Sequence, residues 1–260
     1  RPELHTWGVV LVLAAACVLC SLSVIAIQPG PLSQTLAMFW SDKLLFLLNG
    51  FPVCVVLLLC WCATGNPFSA AGLGSLIVNL MSYVNLVKTD CRNDPFVPDD
   101  FQLLREAMNA ASEYTLNLHW GILIAILLGS AACFVLAHFL RAPRPRWYVR
   151  VALALVLLGG FCWSVPNVYQ KTGLYNKRGN EMSKTNVAEV FRLCGFPYCF
   201  LHNYNLYSVE KPADYSSAGM KALAASDGAV YVEPAVRPNV IFVMCEAYTD
   251  LSDEDVFLYS

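Results

Sequence analysis

Long apolar stretches with almost no charge constrain this chain more than any other feature. A helix needs about 20 mostly apolar residues to cross the hydrocarbon layer of a membrane. Four stretches meet that length, and a fifth, shorter one carries Asn79 and Asn85 and is interpreted as the third span. Composition agrees, because 57% of the residues are hydrophobic, only 14% are charged and the mean hydropathy is +0.51. The sequence predicts an α-helical polytopic membrane domain of about five transmembrane helices: Gly8–Ile27, Leu44–Ala63, Gly72–Val87, Leu118–Leu140 and Val149–Tyr169.

The distribution of basic residues predicts the orientation of these helices. The loop Arg141–Arg150 contains four arginines and no acid. Short loops rich in Lys and Arg stay on the cytoplasmic side. The loop after the third span is acidic instead, with six Asp and Glu against three Lys and Arg between Lys88 and Glu113. We therefore expect a multi-pass protein of the cell membrane, with a cytoplasmic N-terminus and an extracytoplasmic segment after Tyr169.

Nucleic-acid binding and disulfide-based folds receive little support. No basic patch is interleaved with aromatic residues, so no nucleic-acid partner is expected. Most of the 11 cysteines lie within apolar spans, where cysteine behaves as a small hydrophobic residue. Cys194 and Cys199 could pair across the turn between them, but nothing in the sequence requires it.

The C-terminal segment, Arg237–Ser260, differs from everything before it. Val240–Met244 is an apolar run after a proline and predicts a strand buried on both faces. Glu246 follows where the strand opens into a loop, the place where ligands and metals gather in open α/β sheets. The alternative is that Glu246 is a loop carboxylate without chemistry. One strand cannot complete a sheet, so we expect this chain to be a piece that ends just inside a second domain.

The chain is therefore divided into three parts. Residues 1–169 form the transmembrane domain, and residues 170–236 form an extracytoplasmic juxtamembrane linker. Residues 237–260 begin a truncated α/β domain. This division follows the point at which the long apolar stretches end and the point at which the strand pattern begins.

Short helices are expected outside the spans. Lys184–Leu193 has the apolar spacing of an amphipathic helix, and Gly195–Tyr198 is expected to break it. Ala218–Ala225 predicts a further short helix, with a start near Ser216. Gln102–Ala111 predicts an amphipathic helix at the outer membrane interface.

The string Pro238–Glu246, PNVIFVMCE, carries a resemblance to a known superfamily. It looks like the first strand of the sulfatase and alkaline-phosphatase superfamily, in which Pro-Asn and an apolar run lead into an acidic metal ligand. The variant with Glu, followed here by Tyr248 and Asp250, is similar to lipoteichoic acid synthases and related phosphoglycerol transferases. Asn85–Asp100 resembles the segment that leaves the third span in those proteins. The order of the linker elements matches too, so the resemblance covers nearly the whole chain.

The resemblance implies both a fold and an activity. A five-helix membrane domain would carry a sulfatase-like catalytic domain, of which this chain contains the first strand. The intact protein would be a phosphotransferase of the cell envelope that moves glycerol phosphate from phosphatidylglycerol to an extracellular polymer or glycan acceptor. It would use a Thr nucleophile and a divalent cation, usually Mn²⁺. That Thr is expected beyond Ser260, so this chain alone should be inactive.

Three residues of the chain are candidates for the site. The resemblance implies that Glu246 ligates Mn²⁺ or another divalent cation, and hard oxygen ligands suit such ions. Lys88 and Arg92 lie at a membrane boundary, where they could hold the phosphate of the lipid donor by charge-assisted hydrogen bonds. Alternatively, both are ordinary interfacial anchors whose stems lie along apolar surface.

Other functions stay open. A phosphoethanolamine transferase or a membrane sulfatase would share the strand, and the sequence beyond Ser260 would distinguish them. A non-enzymatic membrane scaffold or a piece of a transporter is the alternative outside the enzymes. Against transport, no span carries a charged residue near its middle, where transport pathways usually place one. Asn49, Pro52 and Asn79 are too mild to indicate a pathway.

Overall fold

A computed structural model describes residues 4–102, 118–171, 173, 175, 187–204 and 216–226. The chain divides into two compact units, Arg1–Ser208 and Val209–Ser260, and each is described by itself. The regular elements in the described residues are all helical. The predicted strand Val240–Met244 and Glu246 lie outside these residues. The α/β part of the predicted fold therefore stays a prediction, whereas the helical part can be compared element by element.

Five helices of the first unit are long and apolar enough to cross a membrane. This confirms the predicted number of spans by length and composition. Four of the five agree with the predicted segments to within a few residues. The helices are α1 (Thr6–Ala26), α3 (Lys43–Thr64), α4 (Pro67–Arg92), α5 (Trp120–Phe139) and α6 (Trp147–Ser164), the last continued by one π-helical turn, Val165–Tyr169.

The third span, α4, is longer than predicted. It has 26 residues and begins before Gly72. Asn66 caps it by accepting hydrogen bonds from two N–H groups of the first turn at 2.9 and 3.2 Å. Pro67 follows at the first helical position, where the missing N–H has no partner to lose. Asn79 and Asn85, the two polar residues that the predicted segment carries, are both buried.

One helix between the first two spans was not predicted. α2 (Leu32–Ser41) follows Pro31, whose carbonyl accepts hydrogen bonds from the N–H groups of Gln34 and Thr35 at 3.1 and 3.3 Å. It contacts α1 and α3. Ten residues are too few to cross a membrane. α2 therefore lies at the end of the bundle where α1 ends and α3 begins.

The spanning helices form a three-helix centre with two further helices packed on it. α1, α3 and α4 contact one another, α5 packs against α4, and α6 packs against α3. A side-chain hydrogen bond joins α1 to α4, because Ser23 Oγ donates to Asn79 Oδ1 at 2.7 Å. The apolar window of α4 is 56% buried, whereas those of α5 and α6 are each 11% buried. The apolar cluster at the centre consists of Cys20, Val24, Val53, Leu57 and Val78.

Alternation of the five helices places the loops at two ends. We call the end where α1, α4 and α6 finish the connector end. The opposite end holds the loop Arg141–Arg146 and is called the arginine-loop end. Leu4 N–H donates to Arg141 O at 2.8 Å at the arginine-loop end, and Tyr169 OH donates to Leu48 O at 2.8 Å at the connector end. The predicted alternation is present in the fold, and the side that faces the cytoplasm stays a prediction.

Two short helices pack onto the connector end. They are α7 (Val187–Cys194) and α8 (Phe196–His202). The predicted helix Lys184–Leu193 is confirmed in its described part. The predicted break at Gly195–Tyr198 is too wide, because only Gly195 interrupts the helices and the proline that follows lies in the first turn of α8.

The second unit contains one described helix, α9 (Ser217–Ser226). It confirms the prediction for Ala218–Ala225. Ser216 Oγ caps it by accepting a hydrogen bond from Gly219 N–H at 3.0 Å. Of the predicted helix Gln102–Ala111, only Gln102 is among the described residues, and it follows a 3₁₀ turn at Pro98–Phe101 in the first unit.

Candidate functional site at the connector end

Polar side chains shape the loop that follows α4. Asn93 ends the helix in the left-handed conformation, with φ +52°. Asn85 Oδ1 accepts a hydrogen bond from Phe96 N–H at 2.9 Å, and Asp100 Oδ2 accepts one from Val97 N–H at 2.8 Å. These acceptors replace the backbone partners that an irregular segment lacks. The polar residues that gave this segment its sequence resemblance therefore fold it back over the end of α4.

Lys88, near the end of α4, is bonded to this loop. Its Nζ is 2.7 Å from Asp94 Oδ2, 2.8 Å from Asp100 Oδ2 and 2.9 Å from Pro95 O. An ammonium group has three donors, and acceptor atoms of three residues surround this one, with both carboxylate oxygens of Asp100 in range. The side chains of Lys88 and Asp100 are 18% and 21% exposed, so water screens their attraction less than that of a surface pair. In this conformation Lys88 holds the loop closed.

The role of Lys88 and Arg92 in binding a lipid phosphate stays a prediction. The two residues are four apart on α4 and therefore lie on one face of its last turn. Arg92 is exposed there. To bind a phosphate oxygen, Lys88 would exchange at least one of its loop acceptors. Phosphate binding at this position would thus be coupled to the conformation of the loop.

Aromatic rings join the loop to α8. The ring centroid of Phe96 lies 5.7 Å from that of Phe200 and 6.4 Å from that of Phe196. Phe101 contacts Phe96 edge-on at 5.3 Å and Phe200 at 6.4 Å. Aromatic pairs at such separations contribute about 0.5–1.5 kcal/mol beyond their burial. The loop after α4 and the linker helices therefore form one packed junction.

Asn49 of α3 fixes the linker helices to a spanning helix. Its Nδ2 donates to Leu45 O at 2.9 Å within α3 and to Cys194 O at 2.8 Å at the end of α7. Its Oδ1 accepts a hydrogen bond from Tyr198 N–H at 3.1 Å in the first turn of α8. Asn49 is 4% exposed, so these bonds form away from solvent. One amide thus satisfies two backbone groups of the kind that helix ends leave unpaired.

Gly195 makes this arrangement possible. It lies between α7 and α8 with φ +89°, a conformation that residues with a Cβ rarely adopt. A Cβ at this position would also overlap the side-chain amide of Asn49. Backbone conformation and close approach therefore both require glycine here.

Buried aromatic residues complete the junction at the end of α6. Tyr169 OH donates to Leu48 O, and His202 Nδ1 lies 2.8 Å from Tyr169 O. Because a carbonyl oxygen only accepts, Nδ1 of His202 carries the hydrogen of that bond. Tyr175 stacks on His202 at 4.3 Å, and Tyr198 is fully buried beside them. α3, α6 and α8 are thereby joined at the connector end.

Cys194 and Cys199, whose pairing the sequence left open, are free thiols in this structure. Both are fully buried. Burial raises the pKa of the Cys199 thiol, and a hydrogen bond with Cys194 raises it further. A thiol that stays protonated is a poor nucleophile. Here both cysteines serve packing.

A polar cleft of about 360 Å³ opens beside α7. Arg192 forms two hydrogen bonds to the carboxylate of Glu189, and in one of them Nε donates to Oε2 at 2.7 Å. Its Nη1 also donates to Gln34 Oε1 on α2 at 3.4 Å. The hydrogen bond from Arg192 lowers the pKa of Glu189. Asp90 Oδ2 lies 2.6 Å from His119 Nε2. The cleft is lined by Pro29, Gly30, Thr89, Asp90, Asn93, Ala188, Glu189 and Arg192.

This cleft offers polar binding groups. Thr89 Oγ1 is buried and has no hydrogen-bond partner among the described residues, so a ligand hydroxyl or a water would satisfy it. Within the described ranges, no group of three His, Cys, Asp or Glu side chains could hold a metal ion. The predicted metal ligand, Glu246, lies outside them.

Sequence reasoning missed the residues that build the junction. Asn49 was weighed only as a sign of a transport pathway, although an amide in an apolar span needs partners wherever it is buried. This need for hydrogen-bond partners was the one signal of the junction that the sequence contained. It could not identify Cys194, which lies 145 residues away.

Comparison with known proteins gives no relative from which to transfer a role. No family model, curated protein or solved structure matches the chain. The connector end is therefore interpreted from its own residues and from the sequence resemblance.

Proposed function

We propose that this chain is the membrane portion of a metal-dependent phosphoglycerol transferase similar to lipoteichoic acid synthases. The reaction would move glycerol phosphate from phosphatidylglycerol to an extracellular polymer or glycan acceptor. One observation carries the proposal. The loop Asn85–Asp100 and the linker around Gly195, both part of the resemblance, fold into one junction through Phe96, Phe196 and Phe200. Such a junction would fix the point at which the chain leaves the membrane.

The proposal gives each candidate residue a task. Lys88 and Arg92 hold the phosphate of the lipid donor at the membrane boundary. Glu246 contributes its carboxylate to a divalent cation, usually Mn²⁺ in the resembling proteins. When bound, such an ion neutralises charge that develops on phosphoryl oxygens. The Thr nucleophile would come from sequence beyond Ser260.

A transfer assay tests the proposal. The complete protein is placed in vesicles that contain phosphatidylglycerol with a labelled head group, with and without Mn²⁺. We expect Mn²⁺-dependent loss of the labelled head group from phosphatidylglycerol, which leaves diacylglycerol, with the label on an added glycan acceptor or, where water accepts it, as free glycerol phosphate. Glu246→Gln should lose both activity and bound metal while keeping its thermal stability, because the change preserves size and removes the charge that offsets the metal. Equal metal content in both proteins would remove Glu246 from the site.

Alternative head groups distinguish the competing enzymes. Transfer from labelled phosphatidylethanolamine alone would make the protein a phosphoethanolamine transferase. Sulfate release from an aryl sulfate alone would make it a sulfatase. If none of the three substrates reacts in the presence of Mn²⁺, the non-enzymatic scaffold becomes the better explanation.

A further inference from the structure

A second pocket, of about 370 Å³, lies at the arginine-loop end, opposite the junction. It forms where the chain before α1, the turn between α3 and α4, and the loop after α5 meet. The hydrogen bond from Leu4 N–H to Arg141 O, at 2.8 Å, ties the first of these segments to the last. Pockets of about 300–1,000 Å³ commonly hold small molecules. The volume is sufficient for a phosphorylated head group.

The pocket carries positive charge that no described acid balances. Arg141 and Arg144 line it, and none of its lining residues is Asp or Glu. In the part of the chain that the structure describes, the side chains of Arg141 and Arg144 form no ion pair and no hydrogen bond. Guanidinium groups bind phosphate oxygens two at a time, which makes arginine the preferred residue for such ligands.

Asn66 adds a neutral donor to the same wall. It is 8% exposed, and its Oδ1 is occupied in capping α4. Its Nδ2 donates to no residue that the structure describes. This Nδ2 is open to solvent, so it can donate to a ligand that enters the pocket. The wall therefore combines two cationic donors with one neutral donor.

A neighbouring arginine, Arg150, forms hydrogen bonds within the chain and does not line the pocket. Arg150 Nε donates to Cys62 O at 2.7 Å and Nη2 donates to Ala63 O, which satisfies the last carbonyls of α3. Gly65 ends that helix with φ +68°, and a Cβ there would lie 2.9 Å from Arg150 Nη1 and 3.6 Å from Arg144 Cγ. The absence of a Cβ lets both arginines approach. Because Arg150 already serves the helix end, the two lining arginines remain for a ligand from outside the chain.

The surroundings of the pocket identify the ligand class. The last turn of α5 exposes Leu136 and Phe139 beside it, at 45% and 60%. On a spanning helix, such apolar surface faces lipid tails. We infer that this pocket binds the phosphate group of an anionic phospholipid, through Arg141, Arg144 and Asn66. The inference does not rest on the proposed function, which concerns the opposite end.

Lipid binding to the whole chain tests the inference. The protein is prepared in neutral-lipid nanodiscs, and binding of phosphatidic acid, which lacks the head group of the proposed donor, is measured by native mass spectrometry at fixed ionic strength. Arg141→Gln and Arg144→Gln should each weaken binding about fivefold, and the double variant about 30-fold, by the usual contribution of a basic residue to anionic-lipid affinity. Inorganic phosphate is added in a second series. Displacement of the lipid shows that phosphate alone is recognised, and no displacement shows that the lipid is required.

Arg146→Gln is the matched control. It removes one positive charge from the same loop, but Arg146 donates to Tyr148 OH at 2.8 Å and does not line the pocket. We expect less than about a twofold change in affinity, since only distant charge is lost. Equal losses in Arg144→Gln and Arg146→Gln would overturn the inference in favour of general surface charge. Unchanged binding in the double variant, at unchanged thermal stability, would overturn it outright.

Discussion

The two ends of the helix bundle use polar residues in opposite ways. At the connector end, Lys88, Asn49 and Arg192 each bond to groups elsewhere in the chain. At the arginine-loop end, Arg141 and Arg144 bond through their side chains to nothing in the described residues. A partly buried polar group needs a hydrogen-bond partner within the protein, whereas a cation at the surface can be solvated by water. The arginine-loop end also has polar groups that serve the helices, Arg150 and Asn66, but its two pocket arginines are left for something outside the chain.

The largest expected effect concerns the sides of the membrane. Cys91 is exposed on the last turn of α4, at the connector end. In a background with Cys91→Ser and Cys245→Ser, we would restore Cys91 or introduce Arg144→Cys, and label intact cells with an impermeant thiol reagent. Cys91 should react at once, and Arg144→Cys only after the membrane is opened, because the two ends face opposite sides. If Arg144→Cys reacted in intact cells and Cys91 only after the membrane is opened, the topology would be the reverse of the predicted one.

Loss of Asn49 should cause the largest change in stability. Asn49→Ala leaves Cys194 O and Tyr198 N–H buried without a partner, which costs about 1–3 kcal/mol for each group. The free energy of unfolding in one detergent measures the total, and hydrogen exchange at residues 187–204 should show that α7 and α8 loosen first. Gly195→Ala should act in the same direction, because it introduces strain at positive φ.

Asn167→Ala is the control for Asn49→Ala. Asn167 is an exposed amide that donates to Trp163 O at 2.8 Å within its own end of α6. Its loss should change the free energy of unfolding by less than about 0.5 kcal/mol. If both variants lose the same stability, the junction does not depend on the amide of Asn49.

Lys88 and Asp100 provide a smaller effect that separates structure from binding. A double-mutant cycle with Lys88→Met and Asp100→Asn should give a coupling free energy of about 0.5–3 kcal/mol, since the two charged groups are in contact and partly buried. Lys43→Met, at an exposed lysine at the start of α3, should change stability little. A coupling of zero would mean that the pair with Asp100 does not hold the loop, and that Lys88 could exchange this acceptor for a phosphate oxygen at little cost in stability.

The smallest effect is the pH dependence of the pair between Glu189 and Arg192. Because Arg192 lowers the pKa of Glu189 in the folded chain, the pair stabilises the fold above the ordinary pKa of Glu, about 4.3. That contribution is lost as the pH falls through the lowered pKa. The difference in melting temperature between the native protein and Glu189→Gln should therefore shrink below about pH 4.3. A difference that stays constant from pH 7 to below that value would show that the carboxylate charge is unimportant.

Spanning helices were easier to predict than the helix that lies between them. The apolar requirement of the membrane acts on each segment separately, so length and charge sufficed for α1, α3, α5 and α6. α4 was predicted too short, because its first residue is a proline and its C-terminal end carries Lys88, Asp90 and Arg92, which do not belong to an apolar stretch although they are helical. α2 was missed, because ten residues with mixed polarity give no strong pattern alone.

For the candidate site, the sequence indicated which segment takes part but not which residues bond to one another. Asn85, Lys88 and Asp100 were recognised as one segment, and in the structure Asn85 and Lys88 of α4 bond to the loop that contains Asp100. Their bonds to that loop were not predictable from spacing, since Lys88 could equally have faced solvent or lipid. Glu246 lies outside the described residues, and its role as a metal ligand stays a prediction.

By itself the sequence determined that this chain forms about five helices of membrane-crossing length, with an arginine-rich loop between the last two. Local composition suffices for that, because each helix satisfies its own backbone hydrogen bonds. Only the tertiary structure decided which polar groups are satisfied within the chain. Asn49 meets α7 and α8 because Gly195 leaves room for it, whereas no described carboxylate reaches Arg141 or Arg144. These contacts depend on residues that are far apart in sequence, so no local sequence pattern indicates them.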